Sequence, residues 1–335
     1  AAGRWVHPDP ILDPDRLVAG IARLARDRGV RVVLPMEETT LLALLDRRKR
    51  LPAGTTLYGP EPEVIRRLSD KVEAASLLSA AGFPVPATSP VPDGIRFPAV
   101  VKPRSASGAA GVAYVDDEAS CRAAHAAAVA AHGSALVQEF VPGRGVGVSL
   151  LIAREGDLVA AFAHRRLRER PATGGASTQR VSVALPAFVS ELAATLAATG
   201  FFGPVHVEFR EDERDGVLRP IEINPRYWGS LALAVHAGVP FPSLHARLAM
   251  GEHPRPILDY AVGVRCRWFL FGDLQIGLQA LARGRWREAA AALGPRGPFD
   301  ILSLDDPGPA MARLAAPLAW MATPGLRLLL RHPPA

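Results

Sequence analysis

Polar side chains recur at every second position in two neighbouring segments of the chain. His206, Glu208 and Arg210 alternate with apolar residues, and Glu222 and Asn224 do the same a short interval later. Because alternate residues of a strand project from one face, antiparallel pairing of the segments would bring Glu208, Glu222 and Asn224 together. Mg²⁺ takes such oxygen ligands, commonly one or two carboxylates together with substrate phosphates. The pattern predicts a magnesium site, with a solvated hairpin surface as the alternative.

Lysine is rare in this chain, whose basic residues are otherwise all arginine. Of the 39 basic residues only Lys49, Lys71 and Lys102 are lysines. Lysine presents a compact point charge, whereas arginine presents a wide planar fork. Lys71 follows an aspartate and Lys102 stands between a valine and a proline, two patterns that recur where a protein holds a nucleoside triphosphate. Both are candidate phosphate ligands, and Lys49, inside an arginine cluster, is predicted to be a surface charge.

Small residues fill the segment after Lys102. Residues 105–111 read Ser-Ala-Ser-Gly-Ala-Ala-Gly, and such residues let backbone N–H groups approach an anion closely. The segment is not a Walker A loop, because Gly-Lys-Ser/Thr is absent. It is not a dinucleotide fingerprint either, because a strand rather than a helix is predicted next. A loop that closes over phosphates and a glycine-rich β-turn both stay open.

A predicted apolar strand ends in two polar residues and a turn. Gln138 and Glu139 interrupt the run 136–141, and Pro-Gly follows. This suits an adenine hinge, in which backbone groups bind the edge of the base while Phe140 and Val141 pack against its face. An ordinary strand end is the alternative.

Composition limits the function classes. The chain has 335 residues, 49% hydrophobic and 21% charged, which is ordinary for a soluble globular enzyme. Its formal charge of +6 comes from scattered arginines, and the densest cluster, within 165–170, has no interleaved aromatics, so nucleic-acid binding is disfavoured. Cys121 and Cys266 lack metal-type spacing, and the uncharged run 314–326 is too short to cross a bilayer. We expect a soluble cytoplasmic protein that binds neither nucleic acid nor membrane.

Hydrophobic periodicity predicts a mixed α/β chain. The N-terminal part reads as an α/β alternation that lacks its first strand, which indicates an N-terminal truncation. Its predicted elements are helices over 14–28, 37–50 and 61–68 and strands over 30–34 and 55–58. The central part is predicted to hold helices over 70–81, 118–132 and 187–199, strands over 97–102, 112–115, 135–141, 205–210 and 217–223, a hairpin of 146–153 with 158–164, and a loop over 168–177. Residues 251–335 read as helical, with proline interruptions and no motif.

The order of these motifs resembles the ATP-grasp superfamily, most closely its carboxylate–amine ligase branch. The series is Asp-Lys, Gly-Phe-Pro-Val-Pro, Val-Lys-Pro with the small-residue loop, Gln-Glu-Phe-Val-Pro-Gly, Val-Glu-Phe and Glu-Ile-Asn-Pro-Arg, over about Ser69 to Met250. The motifs Gly-Val-Gly-Val-Ser, His-Arg-Arg-Leu-Arg-Glu and Thr-Gly-Gly-Ala-Ser are similar to a group of predicted ATP-dependent carboligases. The resemblance implies an ATP-grasp fold over 70–250, with a lid subdomain over 84–141 and a metal and substrate subdomain over 142–250. It implies a truncated pre-ATP-grasp domain over 1–69 and leaves 251–335 as a helical extension.

The resemblance also implies roles for single residues. Lys71 and Lys102 match the lysines that contact ATP phosphates, and Arg226 matches the arginine that stabilises the acyl-phosphate. The other implied ATP contacts are Ser105, Ser107, Gly108 and Gly111 of the lid and Gln138, Glu139 and Val141 of the hinge. Glu208, Glu222 and Asn224 match the ligands of Mg²⁺, for which Mn²⁺ can substitute. Arg144 and Gly145 stand where relatives often carry a glutamate that contacts the ribose, and an arginine cannot accept that hydrogen bond.

A further set is expected near the substrate. If the strand continues, His164, Arg166 and Arg168 share a face and could bind a substrate carboxylate or the γ-phosphate, with a solvated charged edge as the alternative. The resemblance places Gly174, Gly175 and Ser177 near the acceptor. His164 and His206 are candidates for the base that deprotonates the amine, although a lone histidine on a strand is more often structural.

The function that follows is an ATP-dependent ligase that activates a small-molecule carboxylate as an acyl-phosphate and joins it to an amine. An ATP-grasp kinase and a non-catalytic ATP-binding module are the alternatives. Because dimers are frequent among related ligases, a homodimer is also expected.

Overall fold

The computed structural model describes residues 5–105, 111–170, 175–294, 297–303 and 305–322. Helices and strands alternate in the N-terminal part, as predicted. Helix α1, Pro14–Arg28, is capped at its N-terminus by Asp13, which accepts from the Arg16 amide, and at its C-terminus by Gly29, which has a φ of 61°. The elements are α1 Pro14–Arg28, β1 Val32–Val33, α2 Glu38–Asp46, β2 Thr56–Leu57 and α3 Pro62–Ser69, with β1 and β2 parallel. The helix expected over 37–50 ends at Asp46, and a separate 3₁₀ turn follows over Arg48–Arg50.

A four-stranded antiparallel sheet follows helix α4. Its strand order is β3-β6-β4-β5 and helix α5 packs on it, with Val101, Cys121 and Val137 in the shared core. The cis peptide bond Phe97–Pro98 precedes β4. The elements are α4 Lys71–Ala80, β3 Thr88–Ser89, β4 Ala99–Pro103, β5 Ala113–Val115, α5 Glu118–His132 and β6 Ala135–Glu139.

The largest sheet is antiparallel and has six strands in the order β11-β10-β7-β8-β9-β12. The last of these, β12, is Arg265–Arg267 of the C-terminal part. One of its faces packs on α3, α4 and α6 through residues such as Val148 and Leu192, and the core beyond its other face contains Phe162 and Phe241. The elements are β7 Gly143–Ile152, β8 Leu158–Arg170, β9 Ala176–Val183, α6 Val189–Ala197, β10 Gly203–Asp212 and β11 Leu218–Asn224. The prediction of a loop over 168–177 is wrong at both ends. β8 continues to Arg170 and β9 begins at Ala176, because each strand gains a ladder partner that local sequence does not reveal.

The C-terminal part is not purely helical. Strand β12 pairs with β9 and makes the edge of the six-stranded sheet, and an irregular, kinked turn, Phe269–Asp273, follows it. The fully buried Arg267 of β12 pairs with the equally buried Asp273 through Nε and Oδ2 at 2.7 Å. The elements are α7 Leu231–His236, α8 Phe241–Ala249, β12 Arg265–Arg267, α9 Leu274–Ala282, α10 Trp286–Leu293 and α11 Gly308–Ala322. Within the described residues, no helix has the length and apolar character that crossing a bilayer requires.

Candidate functional site

A cavity of about 860 Å³ lies between the four-stranded and six-stranded sheets. Apolar side chains such as Val100, Phe140 and Ile221 contribute to its lining. A group of polar side chains in the same lining, here called the charged end, contains Lys102, Glu208, Glu222, Asn224 and Arg226. Residues that lie far apart in the sequence therefore meet around one volume, as the motif analysis predicted for this set.

Lys102 lies at the junction of the two sheets. Its Nζ donates to Gln138 Oε1 at 2.9 Å and to the Ile221 carbonyl at 3.1 Å. Burial lowers the pKa of Lys102 to about 8, while the nearby charge of Glu222 opposes the shift. The lysine is thus a desolvated cation that borders on titration near neutral pH.

Lys71 is the first residue of α4, and Asp70 caps that helix. The Asp70 side chain accepts from the Val72 and Glu73 amides and forms an ion pair with Arg104 at 2.6 Å. Lys71 Nζ lies 3.4 Å from Glu222 Oε1, and its side chain is buried. The cap therefore fixes the helix start and aims Lys71 at the carboxylate, although Lys71 is not among the residues that line the cavity.

Glu208 and Glu222 are directly opposed on β10 and β11, and Asn224 is opposed to His206 two residues along. The predicted alternation therefore does bring the three oxygen-bearing side chains to one face. Burial acts to raise the pKa of Glu208, but the charge and hydrogen bond of Arg166, 2.6 Å away, together with the electrostatic effects of His206 and Lys102, outweigh burial, and the net pKa is lowered. Burial raises the pKa of Glu222, and the charge of Glu208 adds to this, so Lys71 compensates only in part.

Asn224 is held by the arginine that follows it. Arg226 Nη2 donates to Asn224 Oδ1 at 2.8 Å, and Nη1 donates to the Tyr227 carbonyl at the same distance. Arg226 also lies 3.9 Å from Glu38 of the N-terminal part. The guanidinium is therefore oriented at the cavity wall beside the candidate metal ligands.

Two glycines on the central strand β7 make room for this end of the cavity. A Cβ on Gly147 would lie 2.4 Å from both His164 Cε1 and His206 Cε1, and a Cβ on Gly145 would lie 2.7 Å from Arg166 Cδ. Neither glycine needs a positive φ, so the requirement is for space alone. Motif reading had matched these glycines to a family pattern but missed their role, for which their period-two spacing on a strand was the available signal.

The substrate set predicted on β8 is only partly brought together. His164 and Arg166 line the cavity, but a bulge between Arg166 and Arg168 reverses the alternation. Glu169 takes the place on the cavity face, and Arg168 instead pairs with Asp273 at 2.8 Å. The expectation that Arg168 shares the face of His164 and Arg166 is therefore wrong, because an inserted residue breaks the period of two.

The two candidate histidines are parts of a stacked array. His164 and His206 stack at 5.6 Å, and His206 stacks on Trp228 at 5.3 Å. His206 shares a 2.9 Å hydrogen bond with Ser149. Burial lowers the pKa of His206 to about 3 and holds the pKa of His164 well below its usual value. Both rings are therefore neutral and weakly basic, which favours the structural alternative over the general base.

The residues of the predicted adenine hinge form hydrogen bonds and ion pairs within the protein. Gln138 does not point its amide at a free base edge, since Oε1 accepts from Lys102 and Nε2 donates to Thr88 at 2.9 Å. Glu139 pairs with Arg214 at 3.1 Å, and the Val141 carbonyl accepts from Arg210 at 3.2 Å. All three hinge residues line the cavity, next to the edge-on ring pair Tyr114–Phe140 at 5.8 Å.

The remaining predicted residues divide between described and undescribed positions. Ser105 and Gly111 are exposed and outside the cavity wall, while Ser107, Gly108 and Gly174 lie outside the described residues. Gly175 and Ser177 line the cavity, and the Gly175 carbonyl accepts from Arg166 at 3.4 Å. Arg144 is exposed and not part of the wall, whereas Gly145 is.

Comparison with known proteins identifies the domain. Residues 68–230 match the family model described as an ATP-grasp domain. The chain contains an ATP-grasp domain. The ATP-grasp fold predicted from the motif order is thereby confirmed, and so is the relationship to the superfamily. The matched residues include Lys71, Lys102, Glu208, Glu222 and Arg226, on which the prediction rested.

Curated proteins that are similar in sequence to this chain include the following two. The carbamoyl phosphate synthase large chain of Thermomicrobium roseum is 27% identical over 304 residues, which are 79% of this chain and 27% of that protein. The D-alanine–D-alanine ligase of Acidiphilium cryptum is 31% identical over 206 residues, 53% of this chain and 65% of that enzyme. The chain thus spans about a quarter of the first relative and under two thirds of the second.

Two solved structures share the fold. One is the biotin carboxylase domain dimer of Hydrogenobacter thermophilus 2-oxoglutarate carboxylase with MgADP, ADP and bicarbonate, at a TM-score of 0.62 and 20% identity over 78% of this chain and 62% of that one. The other is an L-amino acid ligase from Bacillus licheniformis, at a TM-score of 0.53 and 18% identity over 73% of this chain and 62% of that one.

Proposed function

We propose that this protein is an ATP-dependent, ADP-forming ligase that joins a carboxylate to an amine. The observation that carries the proposal is the meeting of Lys102, the opposed pair Glu208 and Glu222, and Arg226 on one cavity. The ATP-grasp match and the ligase names among its relatives support the same class.

The residues fit a magnesium ion. Two acids face each other across a strand pair, and burial together with the charge of Glu208 raises the pKa of Glu222 despite Lys71, so a further cation would stabilise the charged form of Glu222. Among the residues that the structure describes, no three His, Cys, Asp or Glu side chains form a metal-binding group. Two carboxylates and the Asn224 amide leave the remaining positions to phosphate oxygens and water, which is how Mg²⁺ is commonly held.

The chain's own groups suit phosphoryl transfer. Lys71 and Lys102 would hold the triphosphate, with the base against apolar lining side chains such as Phe140 and Ile221. Bound magnesium would neutralise charge on the phosphates. A carboxylate oxygen attacks the γ-phosphorus, the bond from that phosphorus to the bridging oxygen breaks, and ADP leaves. Arg226 would donate to the developing oxyanions through its fork.

The second half-reaction forms the amide. The amine nitrogen attacks the acyl carbon, the carbon–oxygen bond to phosphate breaks, and the nitrogen loses its proton. Neutral His164 and His206 are too weakly basic to be assigned that proton. Enclosure between the two sheets would exclude the water that hydrolyses an acyl-phosphate.

An ADP-release screen tests the proposal. Purified protein with ATP and Mg²⁺ is supplied with small acids and amines, including amino acids, singly and in pairs. We expect stable ADP and phosphate release only with a complete pair, and loss of release in Lys102→Met but not in Lys49→Met. A phosphorylated alcohol without an amide product would identify a kinase. Magnesium-dependent ATP binding with no turnover on any pair would identify a non-catalytic module.

A homodimer and a cytoplasmic location are also proposed. The first is supported by the likeness to a biotin carboxylase domain that was solved as a dimer. Sedimentation velocity would test it, with a single monomeric species as the contrary result. The domain limits at residues 70, 142 and 251 are likewise proposals, and limited proteolysis would test them.

A further inference from the structure

One part of the cavity wall is built by the C-terminal part of the chain. Trp268, Asp300, Ile301, Pro309 and Arg313 line it, and all lie beyond the residues that match the ATP-grasp model. Strand β12 brings this segment to the site by pairing with β9, where Cys266 is opposed to Arg180. The cavity is therefore incomplete without a segment in which the motif analysis found nothing.

One ion pair stands in this wall. Arg180 of β9 and Asp300 are bonded through Nη2 and Oδ2, with side chains 3% and 10% exposed, and both line the cavity. Asp300 Oδ1 accepts from the Cys266 thiol at 3.0 Å, and Arg180 Nη1 donates to the Ser177 carbonyl at 2.8 Å. Within the described part of the chain, Arg180 Nε is buried and has no partner. A buried ion pair adds little to stability after desolvation, so its place in a cavity wall suggests recognition.

The pair is connected to the candidate reaction centre. Arg180 is directly opposed to Arg166 on β8, and Arg166 Nη2 contacts Glu208 at 2.6 Å. Two opposed arginines on one face repel each other, and here each has its own acid: Asp300 for Arg180, Glu208 and Glu169 for Arg166. A molecule bound at Arg180 and Asp300 would thus lie one strand away from the arginine that contacts Glu208.

We propose that Arg180 and Asp300 form the subsite for a substrate that carries both an ammonium and a carboxylate group, such as an α-amino acid. Arg180 would take the carboxylate through its planar fork, and Asp300 would take the ammonium. Trp268, Ile301 and Pro309 would contact an apolar side chain. This rests on the proposed ligase function and adds to it the class of one substrate and the residues that select it.

A ligand series on the wild-type protein is the first test. Proteinogenic amino acids are titrated by calorimetry at up to about 10 mM, above the usual KM range, in the presence of Mg²⁺ and a non-hydrolysable ATP analogue. We expect at least one to bind, and its amide and its des-amino analogue to bind at least tenfold more weakly. Equal binding of either analogue, or no binding by any amino acid, would overturn the proposal.

Substitution is the second test. Asp300→Asn keeps an acceptor for Arg180 but removes the charge, and we expect it to weaken amino-acid binding roughly 10- to 100-fold, as for a lost hydrogen bond between charged groups. Affinity for the ATP analogue should stay within about twofold of wild type, which a general structural defect would not allow. The matched control is Asp305→Asn, an exposed acid of the same segment. Unchanged amino-acid binding in Asp300→Asn would overturn the subsite.

The two proposals fail in different ways. Absence of ATP-analogue binding by the wild-type protein would count against the ligase. Normal binding of the ATP analogue, together with turnover that is unchanged in Asp300→Asn, would count against the subsite alone. Should Asp300→Asn fail to fold, the wild-type ligand series still decides the matter.

Discussion

The surroundings of Lys102 change the pKa of its side chain. It is a buried cation that donates to one side chain and one carbonyl, and burial lowers its pKa to about 8. Arginine would not deprotonate in this range and would need a wider space. A narrow site between two sheets thus explains why position 102 has a lysine in a chain whose other basic residues are almost all arginines.

The lowered pKa of Lys102 predicts a pH dependence of ATP binding. Raising the pH from about 7 to about 9 passes through its pKa, and a mostly charged lysine becomes mostly neutral, so affinity for an ATP analogue should fall roughly tenfold. Calorimetry across this range would measure it. Lys102→Met should bind weakly at every pH, and a profile in Lys102→Met as steep as that of wild type would contradict the assignment.

The same shift has an opposite consequence for stability. Because the pKa of Lys102 in the folded protein lies below the ordinary value of 10.5, folding opposes its protonation. The unfolded chain therefore binds more protons between about pH 8 and pH 10.5, and this group's contribution to stability rises with pH over that window. Stronger binding at neutral pH is thus accompanied by a cost in stability.

The opposed acids predict loss of magnesium-dependent activity on substitution. Glu222→Gln and Glu208→Gln each remove a charged oxygen from the candidate metal site and should lower ADP formation by at least about 10- to 100-fold, the usual effect of even indirect changes at a metal site. Titration of activity against Mg²⁺ would show a raised metal requirement. Glu155→Gln, on a turn away from the cavity, is the control, and full activity of Glu222→Gln would exclude the metal role.

Two glycines of strand β7 leave the space that the neighbouring side chains of the site occupy. Gly145 and Gly147 leave a furrow between β8 and β10 into which Arg166, His164 and His206 extend. On β8, the bulge next to Arg166 then decides which residues face this furrow. Two local departures from a regular sheet therefore set the content of the cavity's charged end.

Gly147→Ala should destabilise the fold. Its methyl group would lie 2.4 Å from both histidine rings, which must then shift, and overpacking of this kind costs about 1–3 kcal/mol. Urea unfolding followed by circular dichroism would measure the change. Gly59→Ala is the matched control, because its new methyl would be an ordinary 3.6 Å from Leu45. Equal stability of the two variants would show that the furrow is not tightly packed.

The whole cavity depends on docking of the C-terminal part against β9. Asp273 is fully buried between Arg168 of β8 and Arg267 of β12, so one acid joins the large sheet to the segment that closes the pocket. Removal of Arg267 would leave the buried Asp273 with Arg168 as its one remaining ion-pair partner in the described residues, and the loss of a partner from a buried ionic group costs more stability than the intact group contributes. This segment is therefore expected to act as part of the site and not as an appendage.

Arg267→Met should loosen this segment. We expect a loss of about 3–5 kcal/mol where the segment unfolds with the domain, and faster hydrogen exchange over residues 265–293. Arg265→Met on the same strand is the control, because Arg265 is exposed. Unchanged exchange in Arg267→Met would show that docking does not require the buried pair.

Much of the molecule follows from local pattern. The helices predicted over 14–28 from an apolar face and over 118–132 from an alanine-rich run have those bounds, and the alternation of Glu208, Glu222 and Asn224 correctly placed them on one face. Helix caps and strand alternation depend on residues within a few positions of each other, and a strand's period of two carries over to its neighbour when the pairing is in register.

Features that depend on distant partners were not predictable in this way. The bulge that turns Arg168 away, the amide of Gln138 that holds Lys102, and the strand at Arg265–Arg267 all arise from contacts with chain segments tens of residues or more away. Chemical type and order along the chain are thus enough to recognise the ATP-grasp domain. Which of its side chains reach the cavity is settled by sheet register, packing space and charge compensation, which exist only once the chain is folded.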